Sequence, residues 1–180
     1  MEIIEVDAAK YTEVIRSSYN IFNSAIFNDF NKQNCEIVYY LLFKEGKFRL
    51  GIVGGVRNGV FHSPYSAPYG GFSYVSEAVD TKYIELASLW LIRWATKKKF
   101  DAVSITIPPA FYNSSFISKE INCLWREGFE ISAVDLNHYF NLDRFDEKYT
   151  ESISYNGRRN LRISIQSGLK FSKSMNDNEK

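Results

Sequence analysis

The sequence predicts an α+β (mixed α/β) domain with a central, mostly antiparallel sheet flanked by helices and followed by a C-terminal helical arm. Residues 36–43 are rich in Ile, Val, Tyr and Leu, and turns at Glu45-Gly46 and Asn58-Gly59 separate them from two further strand segments, residues 47–56 and 60–63. Because Asn-Gly accepts the positive φ angles of a primed hairpin turn, these segments predict an antiparallel meander. Residues 83–95 repeat apolar side chains at helical spacing and predict a long helix beside this sheet.

Composition limits the class of protein. The chain has 180 residues, 45% of them hydrophobic, which fits one compact domain plus an appendage. A net charge of +1 provides no overall field for nucleic acid or acidic membranes. No apolar run approaches the roughly 20 residues that span a bilayer, and the N-terminus alternates instead of resembling a signal peptide. We expect a cytoplasmic protein without membrane insertion, with free thiols at Cys35 and Cys123 and no bound metal.

The N-terminal elements follow from alternation and from capping residues. Residues 2–6 alternate and predict a first strand, and Asp7 can accept a backbone N–H at the start of a helix. The apolar face of that helix is expected to contain Tyr11, Val14, Ile15, Ser18 and Phe22. Gly54 and Gly55 predict a bulge or a close approach within the second meander strand. A second helix is predicted over residues 24–31, and the meander strands over 36–43, 47–56 and 60–63.

Prolines, glycines, aromatic residues and hydroxyls are concentrated in residues 61–72, and we interpret this stretch as the mouth of a site. The long helix should begin after Ser76 or Asp80 and end at Lys97–Lys99, where cations favour the helix dipole. A strand over 101–107, a helix over 115–127 and a strand over 129–142 are predicted next. The inward face of the helix over 115–127 is predicted to contain Ile117, Ile121, Leu124 and Trp125.

The composition becomes more charged from Asp143 onward. A helix is predicted over residues 145–166, then a short strand over 169–172 and a polar tail. We therefore divide the chain into a domain of residues 1–143 and a helical arm with its tail, residues 144–180, which is also where a second domain would begin. The arm has no obvious place in the first domain, so we expect it to form a homodimer.

The order of elements resembles the GNAT acyltransferase fold, in which a three-strand meander is followed by a long helix and another strand. Residues 124–130, Leu-Trp-Arg-Glu-Gly-Phe-Glu, look like the helix-to-strand turn near the end of that fold. Three further segments resemble the N-terminal half of Fem-type peptidoglycan-bridge aminoacyltransferases and their acetyltransferase-annotated relatives. They are Phe22-Asn23-Ser24, the stretch from Ser63 to Phe72, and Arg158–Arg162 followed by Gly168–Phe171.

The resemblance implies an acyltransferase that transfers an acetyl or aminoacyl group to an amine. It implies acetyl-CoA or another acyl donor, and a small-molecule or peptidoglycan-precursor-like acceptor, with tRNA as a further partner. The alternative is a catalytically silent recognition or assembly half of a tandem protein. Tyr69-Gly70-Gly71-Phe72 differs from the usual Arg/Gln-x-x-Gly-x-Gly/Ala loop that holds the pyrophosphate of coenzyme A, so the donor stays open.

Two residues are candidates for catalysis. His62 lies beside the stretch and has a side chain suited to general base catalysis, although a lone His is also often structural. Tyr112 stands where many GNAT folds place the tyrosine that protonates the leaving thiolate, an assignment that rests on the resemblance.

Other residues are candidates for substrate binding: Ser63, Tyr65, Tyr69, Gly70, Gly71, Arg158 and Arg159. The glycines would present N–H groups to a ligand, or they form only a tight turn. The tyrosines would stack on a substrate or pack under the loop. The arginines would bind a phosphate or acidic group, with Arg158 and Arg162 on one helix face, or they are solvated.

Overall fold

The computed structural model describes residues 1–16, 19–139, 149–168 and 170. The chain divides into two compact units, Met1–Asp135 and Leu136–Lys180. Within the described ranges, no helix has both the length and the apolar character that crossing a membrane requires.

The first unit contains a mixed sheet of six strands, which confirms the predicted α+β class with a mostly antiparallel sheet. The strands are β1 Glu2–Val6, β2 Ile37–Glu45, β3 Lys47–Arg57, β4 Val60–Ser63, β5 Phe72–Tyr74 and β6 Ala102–Ile105. They follow the order β1-β2-β3-β4-β6 across the sheet, and β5 also pairs with β3. All pairs are antiparallel except β4 with β6, which is parallel.

The meander was predicted correctly because its turns are specified locally. Asn58 and Gly59 both have positive φ angles, of 49° and 75°, as a primed turn requires. Gly54 allows the close approach that the sequence indicates, since a Cβ on it would lie 2.3 Å from the Phe61 ring. β5 was not predicted, because its three residues lie within a segment that resembles a loop.

Four helices flank the sheet, and capping side chains mark where they begin. Asp7 accepts from the backbone N–H of Lys10 at 2.7 Å, and Asp80 caps the long helix, as predicted. The prediction that the first helix reaches Phe22 was wrong, because that helix ends at Val14 and Asn20 caps a separate 3-10 turn over Ile21–Asn23. Ser18, predicted on the same face, lies outside the described residues. The helices are α1 Ala8–Val14, α2 Ala25–Phe30, α3 Thr81–Lys98 and α4 Ser114–Arg126.

The two sheet faces bury separate cores. α3 and α4 cover one face, where Ile84 and Leu91 pack with Leu41, Ile52 and Phe61. α1 and α2 cover the other, where the core consists of Tyr11, Ile15, Ala25, Tyr40, Leu42 and Val53. Successive residues of a strand point to opposite faces, so Phe61 belongs to the first core and His62 points to the other face.

The inward face of α4 was predicted only in part. Ile117 and Leu124 are buried, but Ile121 and Trp125 are 46% and 61% exposed. The buried face also contains Phe116, Cys123 and the carboxylate residue Glu120. The prediction was wrong because it assumed that every inward position has an apolar side chain. One inward position belongs to Glu120, and the apolar Ile121 next to it in sequence is exposed.

The predicted strand over 129–142 is not observed where it can be checked. Residues 129–139 have no regular secondary structure, and Val134 and Leu136 are more than four-fifths exposed. Alternation alone therefore does not produce a strand here. Residues 140–142 lie outside the described residues, as does the predicted strand over 169–172 apart from Lys170.

In the second unit, the described residues 149–168 form two helices where one was predicted. These are α5 Tyr149–Ser152 and α6 Tyr155–Gln166. The break lies at Ser154, whose hydroxyl accepts from the Gly157 N–H at 3.2 Å and caps α6. Residues 145–148 of the predicted helix lie outside the described ranges.

Candidate active site

The Pro/Gly/aromatic stretch is an excursion between two strands that share one partner. β4 pairs with Gly55–Arg57 of β3, and β5 pairs with Leu50–Ile52 of the same strand. Residues 64–71 leave the sheet between them. β5 then separates the excursion from α3, so Gly70 and Gly71 do not open the long helix as the resemblance implied.

The backbone N–H groups of Gly70, Gly71 and Phe72 are already hydrogen-bonded. Gly70 donates to the Thr106 carbonyl at 2.8 Å, and Gly71 donates to Ser63 Oγ at 3.1 Å. The next residue, Phe72, donates to Glu120 Oε1 at 2.7 Å. The predicted binding residues Ser63, Gly70 and Gly71 therefore come together, but as partners of one another and of neighbouring strands.

Both glycines are buried where a side chain would not fit. A Cβ on Gly70 would lie 2.6 Å from the Ser63–Pro64 backbone. A Cβ on Gly71 would lie 2.6 Å from Glu120 Oε1, and Gly71 also has a φ of +87°. Asn23 Nδ2 donates to the carbonyls of both glycines, at 3.4 and 3.3 Å. The excursion thus places its backbone directly against Glu120.

Glu120 is the most unusual residue of this region. Its side chain is 0% exposed, and burial raises the pKa of its carboxyl from 4.5 to about 8, although the Phe72 N–H partly offsets this effect. Its second oxygen, Oε2, has no hydrogen-bond partner among the described residues. A buried carboxyl with half of its bonding capacity unused is a feature that stability alone does not favour.

The phenol of Tyr19 lies near this carboxyl and is also buried without a described hydrogen-bond partner. Tyr19 stacks on Tyr74 of β5 at 5.7 Å between ring centroids. We call Glu120 and Tyr19 the Glu120 cluster.

The electrostatics of the cluster keep its groups neutral. Burial, followed by the nearby Glu120 carboxyl, raises the pKa of the Tyr19 phenol above its ordinary value. Burial raises the pKa of Glu120 and, together with the Glu120 charge, that of Tyr19, so both groups largely hold their protons at neutral pH. Hydroxyls and a protonated carboxyl can each donate and accept, so the cluster can bind a polar group or transfer a proton.

The structure brings Tyr69 and Tyr112 together, as two predicted site residues. Their hydroxyls are hydrogen-bonded to each other, and burial followed by this contact raises the pKa of Tyr69 to about 12. Tyr112 is 37% exposed. Asn113, the next residue, donates to the Tyr74 hydroxyl at 3.1 Å. Tyr112 is therefore partly open to solvent and adjacent in sequence to a residue that contacts β5.

The other predicted site residues lie elsewhere. His62 pairs with Gly55, three residues along β3 from the partner of Phe72, and burial followed by Arg57 lowers its pKa. Tyr65 is buried, and its hydroxyl donates to the Asn28 carbonyl, as a packing residue would. Arg158 and Arg159 belong to α6 of the second unit.

Sequence reasoning missed Glu120 although the chain contained a signal for it. Glu120 lies three and four residues from Ile117, Phe116, Cys123 and Leu124, which is the spacing of one buried helix face. A carboxylate at a core position of an amphipathic helix is rare enough to attract notice. Among the described residues, no group of three or more His, Cys, Asp or Glu side chains could hold a metal ion.

Comparison with protein families, with curated proteins and with solved structures found no match for this chain.

Proposed function

We propose that this chain is an acyltransferase-type domain that transfers an acyl group to an amine, with Glu120 accepting the proton of the amine. The observation that supports it is the buried Glu120 carboxyl, whose Oε2 has no hydrogen-bond partner among the described residues and which lies near the Tyr19 phenol. The order of elements, which resembles the GNAT fold, supports the same reaction class. The Fem-type resemblance adds acetyl-CoA or an aminoacyl donor as the source of the acyl group.

The chemistry requires a base of moderate strength. An amine that attacks an acyl carbon must lose a proton, and a base works best when its pKa is near the working pH. An exposed carboxylate is too weak, but burial brings the pKa of Glu120 to about 8. Only the ionised form of Glu120 can accept this proton, so the reaction should become faster as the pH rises through about 8. The new C–N bond forms as the bond from the acyl carbon to sulfur or oxygen breaks, and the proton of the amine passes to the Glu120 carboxylate.

The leaving group then needs a proton of its own. Tyr112 holds its hydroxyl against Tyr69, and the raised pKa of Tyr69 keeps that partner protonated at neutral pH. In the proposal Tyr112 donates a proton to the leaving thiolate or alkoxide and Tyr69 donates to Tyr112 in turn. Solvent water then returns a proton to Tyr69, and Glu120 releases the proton of the amine to solvent. Tyr69 lies three residues before the start of β5, and Tyr112 directly precedes Asn113, which donates to the Tyr74 hydroxyl of β5.

The test is acetyl transfer from acetyl-CoA to small primary amines such as glycinamide. The rate is measured from the release of free thiol. We expect Glu120→Gln to lower the rate about 100-fold, because removing a general base typically costs two or more orders of magnitude. Glu130→Gln, at an exposed position shortly after the same helix, is the matched control and should keep the full rate. Equal rates for Glu120→Gln and the wild type would contradict the proposal.

A second candidate function is recognition or assembly without catalysis, as one half of a tandem protein. A specific observation favours it: the N–H groups of Gly70, Gly71 and Phe72 already donate to Thr106, Ser63 and Glu120. They are not available to a pyrophosphate or an oxyanion. Calorimetry with acetyl-CoA, and separately with an aminoacyl-tRNA, discriminates between the candidates, because the silent domain should bind neither donor.

A further inference from the structure

The second unit contains a groove between its two helices. It has a volume of about 550 Å³. Arg158 Nη1 donates to the Thr150 carbonyl at 3.5 Å across it. The lining residues are Thr150 and Glu151 from α5 with Arg158, Leu161, Arg162, Ile165 and Gln166 from α6.

The α6 wall of this groove follows helical spacing. Arg158, Leu161, Arg162 and Ile165 occupy positions i, i+3, i+4 and i+7, which share one helix face. Arg158 and Arg162 are therefore neighbours, with side chains about 6 Å apart at their base. Arg159 does not line the groove, although it is adjacent in sequence and equally basic.

Among the described residues that line the groove, positive charges outnumber negative ones. α6 contains three arginines and no acidic residue. Among the ion pairs of the described residues, none involves Arg158 or Arg162. Glu151 is the one acidic side chain in the described part of the groove wall. Two guanidinium groups and a single carboxylate on this wall favour the binding of an anion.

The side chains narrow the class of that anion. A guanidinium fork matches the oxygens of a phosphate, and a terminal phosphate has enough oxygens and charge for two forks at once. Leu161 and Ile165 lie on the same wall and offer apolar contact beside the charged groups. We propose that the α5–α6 groove binds a small phosphate-bearing molecule whose apolar part packs against Leu161 and Ile165.

The experiment uses the full chain and two probes, inorganic phosphate and phenyl phosphate, with dissociation constants from calorimetry. Phenyl phosphate should bind more tightly than inorganic phosphate. Arg158→Gln and Arg162→Gln should each weaken its binding about tenfold, the usual effect of losing one charge-assisted hydrogen-bonding group. Arg159→Gln is the matched control and should bind within about twofold of the wild type.

Glu151→Gln provides a second readout of opposite sign. Because it removes the one negative charge on the groove wall, it should strengthen phenyl phosphate binding about threefold. Arg158→Lys keeps the charge without the fork and should fall between wild type and Arg158→Gln. Helix content from far-ultraviolet circular dichroism confirms that each variant is folded, which is expected since these side chains are exposed.

Three results would overturn the proposal. Equal weakening by Arg158→Gln and Arg159→Gln would show a generally basic helix without a groove site. Binding of phosphatidylglycerol vesicles without binding of phenyl phosphate would assign the helix to a membrane surface. Binding of a single-stranded oligoribonucleotide without phenyl phosphate would assign it to nucleic acid.

Discussion

Glu120→Gln should make the chain more stable than the wild type above about pH 8 and leave the two nearly equal below about pH 4.5. The wild-type carboxyl stays protonated in the folded state up to a pKa of about 8, whereas in the unfolded chain it ionises near its ordinary value of 4.5. Between these values the folded state binds more protons, so stability falls as the pH rises. Glutamine has nothing to ionise, and its carbonyl can still accept from the Phe72 N–H.

The size of this effect follows from proton linkage. A single group whose pKa is raised on folding changes stability by at most about 1.4 kcal/mol per pH unit within the window. Across the window from 4.5 to about 8 we therefore expect the wild type to lose a few kcal/mol relative to Glu120→Gln. Urea unfolding at about pH 4.5, 6.5 and 8.5 measures the difference in the free energy of unfolding.

Glu130→Gln is the control for the general effect of removing one negative charge, since Glu130 is exposed. Its stability should follow the wild type at every pH. If Glu120→Gln keeps the pH dependence of the wild type, the carboxyl is not neutral in the fold. The base assigned to the transfer reaction would then lose its physical basis.

Gly71→Ala should destabilise the first unit by about 3 kcal/mol. Gly71 has a φ of +87°, and a Cβ there would lie 2.6 Å from Glu120 Oε1. The positive φ alone costs an alanine about 1–2 kcal/mol, and an overpacked core site adds about 1–3 kcal/mol. The contact is with a buried carboxyl that is itself held by Phe72, so relief by rotation of the side chain is limited.

A second variant, Gly128→Ala, separates the cost of the positive φ from the cost of overpacking. Gly128 has nearly the same φ, +89°, but a Cβ there would meet nothing within 4 Å. Gly128→Ala should therefore show only the backbone cost, about 1–2 kcal/mol. Denaturant unfolding of both variants at one pH gives the comparison. Similar losses for the two alanine variants would mean that Glu120 moves aside freely and does not pack tightly against the excursion.

The meander could be predicted from the sequence because its determinants are neighbours in the chain. Asn58-Gly59 specifies the turn between β3 and β4 through its own φ angles, and alternation specifies which strand residues reach each core. Asp7 and Asp80 mark the helix starts through bonds to residues two or three positions away. Such contacts are readable in a window of a few residues.

The candidate site could not be predicted in the same way, because its contacts are distant in sequence. Glu120 meets Phe72 across 48 positions, and Tyr69 meets Tyr112 across 43. The glycines were recognised as places where the backbone approaches something closely, but the approach is to Glu120 instead of a ligand. The alternation of apolar and polar residues over 129–139 led to the wrong prediction of a strand, because a strand also requires a neighbouring strand with which it can pair.

The shared pairing of β4 and β5 with β3 has a consequence for how this chain can diversify. Because both ends of the excursion are held by one strand, a longer excursion would not change the distance that it must close. Each doubling of a flexible loop costs only about 0.6 kcal/mol. Its tip at Pro68 is exposed, so extra residues there would extend a rim beside Tyr69 while the sheet register stays unchanged. Evolution, or a designer, can therefore alter what reaches the tyrosine pair without rebuilding the scaffold beneath it.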